Sequence, residues 1–178
     1  FRSGDSDWIL LGNSLIPVNG EDWSATMWVL NPRAIITHGI LLSQYGSGSG
    51  RFEFFANENS RISIFSSIMS GSVLQSFALE SQSIWNILIV VCKENNISVY
   101  ENSRLTLSNL LIDNVLGADT KIGTDGHQSG RWLDGSVDDV RIYKRALLNN
   151  EVQSMYQIEK PNDPPTELNA TAPLAFYE

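Results

Sequence analysis

The feature that most constrains this chain is its punctuation. Short apolar runs, several alternating with period two, are separated by clusters of Gly, Ser, Asn and Asp. Successive strand side chains point to opposite faces, so such alternation marks a half-buried strand, and turn residues at its ends mark hairpin connections. Strands are predicted over 7–11, 23–30, 39–44, 51–56, 61–66, 73–79, 85–92, 96–100, 120–123 and 136–143. Within the second, Trp23, Ala25, Met27 and Val29 share one face, and Ser24, Thr26 and Trp28 share the other. Segment 85–92 is apolar on both faces, as a central strand would be. Polar, turn-rich stretches at 45–50, 57–60, 94–96 and 124–130 read as loops. One short helix is expected, because Leu148, Val152, Met155 and Tyr156 fall on one helical face, with Asn149 or Asn150 as its cap. Pro161, Pro164 and Pro165 then enforce extended chain. The expected organisation is an all-β domain over 1–158, two antiparallel sheets in a sandwich with one short C-terminal helix, followed by a linker segment over 159–178.

Charge narrows the partners. The 178 residues carry a net charge of −8, with no cluster of Lys or Arg. Nucleic acid and anionic membrane surfaces are therefore not expected partners. No apolar run approaches the ~20 residues a membrane-spanning helix needs. An acidic surface suits extracellular proteins and carboxylate-rich calcium sites. The single cysteine, Cys92, ends the apolar run Ile87-Leu88-Ile89-Val90-Val91-Cys92, so it is expected as a buried thiol rather than a nucleophile.

Near the C-terminus, Trp132-Leu133-Asp134-Gly135-Ser136-Val137-Asp138-Asp139-Val140-Arg141-Ile142-Tyr143-Lys144-Arg145-Ala146-Leu147 resembles the closing motif of laminin-G-like (concanavalin A-like) jelly-roll domains. That motif is a strand reading roughly I-D-E-V-R-I-Y-N-R-A-L before a helix ending in Leu-Tyr, here Met155-Tyr156. Trp23–Val29, Trp85, Tyr100-Glu101-Asn102-Ser103 and Lys121-Ile122-Gly123 resemble further family segments in the expected order, so the resemblance covers about 1–157. Ser103 stands where the family's hairpin has glycine, and Asn86-Ile87 replaces a His-Val pair, a change expected to matter only at the surface. The resemblance implies a jelly roll and an extracellular or cell-surface setting. The segment Asn162-Asp163-Pro164-Pro165-Thr166 is similar to the linker that opens a cadherin-like repeat, which implies that the full-length chain continues into a neighbouring cadherin-like domain.

Asp138 shares strand parity with Val140 and Ile142, so its carboxylate is expected to face the core, where it must be neutralised, paired or metal-bound. The opening Phe1-Arg2-Ser3-Gly4-Asp5-Ser6-Asp7-Trp8 resembles the family's F-D-G-x-D-x-Y-V segment, which in many relatives is bridged to the closing strand by calcium. The resemblance implies Asp138, Asp5 or Asp7, and carbonyls near Gly4 as calcium ligands. The alternative is an Asp138 bonded to backbone amides or paired with Arg2. Asp139 is expected in solvent and Asp134-Gly135 in a turn. For a sugar or protein ligand, Trp28 is the ambiguous tryptophan, and Tyr45, Asn57, Asn59, His127, Gln128 and Arg131 are candidate rim residues. Trp8, Trp23, Trp85 and Trp132 are expected to pack.

Catalysis finds little support. Glu53 stands alone in Arg51-Phe52-Glu53-Phe54-Phe55, without the E-x-D-x-x-E spacing of related glycoside hydrolases. No G-x-S-x-G is present, and His38 and His127 lack neighbouring metal ligands. The expected function is a non-catalytic, calcium-binding recognition or adhesion module for glycans or extracellular proteins. The alternatives are a carbohydrate-binding accessory domain of a glycan-degrading enzyme and, behind it, a divergent glycoside hydrolase.

Overall fold

The computed structural model describes residues 7–17, 20–34, 37–45, 50–68, 71–113, 118–125 and 131–160. The strands are β1 (Ile9–Asn13), β2 (Trp23–Ala34), β3 (His38–Tyr45), β4 (Arg51–Asn57), β5 (Arg61–Ile68), β6 (Gly71–Ala78), β7 (Asn86–Lys93), β8 (Asn96–Glu101), β9 (Arg104–Leu111), β10 (Asp119–Ile122) and β11 (Leu133–Tyr143), followed by helix α1 (Asn149–Glu159). They form two antiparallel sheets of order β1-β10-β3-β4-β5-β6 and β11-β2-β7-β8-β9. The predicted all-β sandwich with one short C-terminal helix is the observed architecture.

The alternation in the sequence fixes what lies between the sheets. Trp23, Ala25, Met27 and Val29 of β2 face Phe52, Phe54 and Ala56 of β4 and Ile62 and Ile64 of β5, all within one buried cluster. Trp23 packs edge-on against Phe52, with ring centroids 5.2 Å apart. Cys92 is buried in this cluster, and burial raises its thiol pKa to about 11. Central strand β7 is apolar on both faces for a reason now visible. Leu88, Val90 and Cys92 face the sandwich, while Ile87, Ile89 and Val91 join Trp28 in a second cluster covered by Leu147 and Val152 of the helical segment. Covering a second face in this way contributes about 1.5–3 kcal/mol per fully buried large side chain.

Several local expectations are corrected. Strand β9 was not among the predicted strands. It is an edge strand, largely exposed, with irregular register against β8, so its alternation carries little hydrophobic contrast. Neither asparagine caps α1. Leu148 is the cap residue, Glu151 accepts its N–H at 2.8 Å, and Asn149 instead accepts the Tyr100 hydroxyl at 2.8 Å. The helix continues to Glu159, where Arg141 donates to its carboxylate at 2.7 Å. Asn86 is fully buried rather than at the surface. Its amide donates to the carbonyls of Ser81 and Ile84 and its oxygen accepts from Asn102. Ser103 adopts φ 71 beside Asn102 at φ 50, so the Glu101–Arg104 hairpin keeps two left-handed turn residues without glycine. Gly135 lies inside β11, not in a turn. At φ 147 it passes so close to β2 that a Cβ would sit 2.7 Å from the Asn31 carbonyl oxygen.

Candidate functional site

The two outer faces of the sandwich differ. That of the five-stranded sheet is packed beneath α1. That of the six-stranded sheet has no described helix over it. Register places Leu10, Lys121, Ser43, Glu53, Phe65 and Leu74 in one outward row across its six strands. Trp8, Leu10 and Leu74 are about half exposed, and Tyr45 and Phe65 are half-buried. The Arg51 guanidinium lies 4.0 Å from the Phe65 ring centroid and 5.3 Å from that of Tyr45, and the Lys121 ammonium lies 5.5 Å from that of Trp8. Rings and cations thus meet at two places on this face, Trp8 with Lys121 and Arg51 with Tyr45 and Phe65, while Ser43 and Glu53 between them are buried.

Glu53, solitary in sequence, is not solitary in space. One nitrogen of Arg131, Nη1, donates to Glu53 Oε1 at 3.0 Å and to Asp125 Oδ2 at 2.7 Å. All three residues are buried. Two carboxylates therefore share one guanidinium, with Arg51 further out at 3.9 Å from Glu53. Burial pushes the Glu53 carboxyl above its ordinary range, against the opposing pull of Arg51 and Arg131. His38 stacks on Phe55 at 4.2 Å, and burial, helped by Arg131, lowers its pKa. Two buried nitrogens in this neighbourhood, His38 Nδ1 and Arg131 Nε, have no hydrogen-bond partner among the described residues. The signal for this cluster was too weak to read from sequence, because Glu53 lies 72 and 78 positions from Asp125 and Arg131 and only the tertiary fold brings them together.

The predicted rim residues divide between the faces. Arg131 and Tyr45 lie at the six-stranded face. Asn57 belongs to the same face, where its amide donates to Ser63 at 3.1 Å and its oxygen accepts the Asn59 and Arg61 N–H groups, so it builds the turn. Asn59 is exposed in that turn. Trp28 lies on the opposite side of the molecule, beneath α1. His127 and Gln128 lie outside the described residues. Of the tryptophans expected to pack, Trp23 is in the core, Trp85 flanks the second cluster and Trp132 is half-buried, but Trp8 is 49% exposed.

Asp138 does not face the core. Between the pairs Asp138–Trp28 and Arg141–Thr26, two residues of β11 oppose one of β2, with Asp139 at φ 49. This bulge inverts the parity on which the expectation rested. Val140 and Ile142 still pack on the core, while Asp138 points outward and is exposed. Its carboxylate accepts the Asp139 N–H at 2.8 Å. Asp138 lines an open groove of about 350 Å³ with Trp28, Trp85, Asp139 and Glu159. Arg141 engages the carboxylates of both Asp139 and Glu159. Asp7 is exposed, and Asp5 and Gly4 lie outside the described residues. Calcium takes six to eight oxygens. Among the described residues no group of three or more acidic, His or Cys side chains is placed to hold a metal ion, so these residues alone do not fit a calcium site.

Among solved structures the chain is similar to domain 4 of an extracellular arabinanase from Geobacillus stearothermophilus in complex with arabinotriose, at 18% identity and a TM-score of 0.67 over 84% of this chain and 72% of that one. The binding domain of botulinum neurotoxin serotype D aligns at 16% identity and a TM-score of 0.68, over 89% of this chain and 42% of that one. The NanB sialidase from Streptococcus pneumoniae aligns at 17% identity and a TM-score of 0.64, over 84% of this chain and 26% of that one. At these identities the likeness establishes the fold. No curated protein matches the chain in sequence. No described helix is long and apolar enough to cross a membrane. A family match over residues 3–153 covers most of the sequence, and with the two-sheet sandwich above it the chain belongs to the concanavalin A-like lectin/glucanases superfamily, as a Laminin_G_3 domain.

Proposed function

We propose that this domain is a non-catalytic glycan-recognition module of an extracellular or surface protein, and that it binds through the outer face of the six-stranded sheet. The observation that carries this reading is the pairing of Trp8 with Lys121, and of Tyr45 and Phe65 with Arg51, on the outer face away from α1. Half-buried aromatic rings offer flat apolar surface to sugar rings, and neighbouring polar groups orient the hydroxyls. The similarity to an arabinanase domain in complex with arabinotriose supports the same reading.

The Glu53 and Asp125 pair supports binding over hydrolysis. A retaining glycosidase holds its two carboxyl groups ~5–5.5 Å apart across the scissile bond, and an inverting one holds them further apart. Here both carboxylates sit on one Arg131 nitrogen, buried, with no substrate-sized space between them. The pair reads as a device that fixes the segment around Asp125 and Arg131 onto the sheet.

Titration calorimetry against a panel of plant and bacterial oligosaccharides tests the proposal. Tyr45→Ala and Phe65→Ala should each weaken the best ligand about tenfold, or ~1.4 kcal/mol, without changing the fold. Release of new reducing ends from any bound glycan would contradict the non-catalytic reading. Unchanged affinity in both variants would move the binding surface elsewhere.

A further inference from the structure

We infer that the ligand of this face is an acidic glycan, one whose sugar carboxylates are read by Arg51 and Lys121. The inference rests on the glycan reading above and narrows its substrate class. The chain as a whole carries a net charge of −8, yet the strands of the six-stranded sheet carry Arg51, Arg61 and Lys121 against Asp119 and Glu53. Glu53 is buried and held by Arg131, so Asp119 is the exposed carboxylate of these strands. Among the charged strand residues of this sheet that reach solvent, Arg51, Arg61 and Lys121 thus outnumber Asp119, on an acidic molecule.

Arg51 is the most telling of these cations. Its guanidinium is fixed beside the Phe65 and Tyr45 rings and makes no hydrogen bond to a described residue. Glu53, its nearest carboxylate at 3.9 Å, shares Arg131 with Asp125, so Arg51 adds charge to that buried cluster at longer range while its N–H donors stay available. A guanidinium carries five N–H donors in a planar fork that matches a carboxylate. Arg61, by contrast, spends its donors on Ser76. Lys121 lies at the other end of the row, 3.5 Å from Asp119 and over the exposed Trp8 ring. Each of the two cations thus sits against a ring. That pairing suits a chain of uronic acids, in which every residue presents an apolar ring face and an anionic carboxylate. A neutral glycan would use the rings and leave the Arg51 donors unanswered.

The test compares oligogalacturonate, oligoglucuronate and oligomannuronate with their carboxyl-reduced neutral counterparts, by calorimetry on the full chain. At least one acid form should bind about tenfold or more tighter than its reduced counterpart. Its affinity should fall with added salt. Arg51→Gln and Lys121→Gln should each remove most of that preference, weakening the acid form by a larger factor than the reduced form. Arg51→Lys should keep part of it, and unaltered thermal unfolding of each variant would show the loss to be local. Equal binding of acid and reduced forms, or binding of neutral oligosaccharides alone, would overturn the inference while leaving the glycan reading in place. Failure of every sugar, acidic and neutral, would overturn both.

Discussion

Arg131 Nη1 donates to Glu53 Oε1 at 3.0 Å, joining residues 78 positions apart in sequence. The bond ties the segment preceding β11 to the centre of the six-stranded sheet, and Asp125 accepts from the same nitrogen. Removing the cation would strip two buried carboxylates of the guanidinium they share. Arg131→Met should therefore destabilise the domain by about 3–5 kcal/mol at pH 7, the cost typical of breaking a buried ion pair from one side. Urea unfolding measures this. The loss should shrink as pH falls and Glu53, whose pKa burial raises, takes up its proton, and a pH-independent loss would point to side-chain packing instead.

Glu53 makes stability depend on pH in a defined direction. Its folded pKa is raised above the ordinary 4.5 chiefly by burial. Its contribution is fully present below 4.5 and is lost as pH rises through the folded value, because the folded state there holds a proton that the unfolded state has released. The wild-type domain should thus lose part of its stability on going upward from pH 4.5, and Glu53→Gln should flatten that portion of the curve. His38 contributes in the opposite sense. Its pKa is lowered, so its share is present above 6.5 and is lost as pH falls through the folded value. Denaturant titrations at several pH values on Glu53→Gln and His38→Phe separate the two.

Asn86 organises a buried polar junction among the loop before β7, Asn102 and the sheet. Its amide donates at 2.7 and 2.9 Å to Ser81 and Ile84, and its oxygen accepts from Asn102 at 2.8 Å. Asn86→Ala leaves several buried partners unsatisfied, each costing about 1–3 kcal/mol. A total loss of about 2–4 kcal/mol in urea unfolding is expected. Faster amide exchange should follow at Ile87, whose N–H is bonded to the Asn102 side chain.

Asp138 is exposed and its visible bond is local. In EDTA, Asp138→Ala should change unfolding free energy by no more than about 0.5 kcal/mol, as for other surface sites. Thermal unfolding of wild type and variant, each with EDTA and with calcium, completes the test. A calcium-dependent rise that vanishes in Asp138→Ala would show that residues ahead of Asp7 complete an oxygen cage around this carboxylate.

The sequence by itself determined the architecture, because period-two alternation is a local property. Trp23, Ala25, Met27 and Val29 must share a face in any strand, and an apolar run such as 87–92 must be covered on both sides. Turn chemistry at Glu94-Asn95 and Asn102-Ser103 is local as well, with all four residues in the left-handed region. Tertiary structure alone decided the rest, for two physical reasons. One extra residue in β11 inverts side-chain parity without leaving a mark in the hydrophobic pattern, so Asp138 faces solvent beside Trp28 and not the core. Charge pairing is a matter of distance in space, and Arg131, 78 positions from Glu53 in sequence, brings it the partner that its sequence neighbours lack.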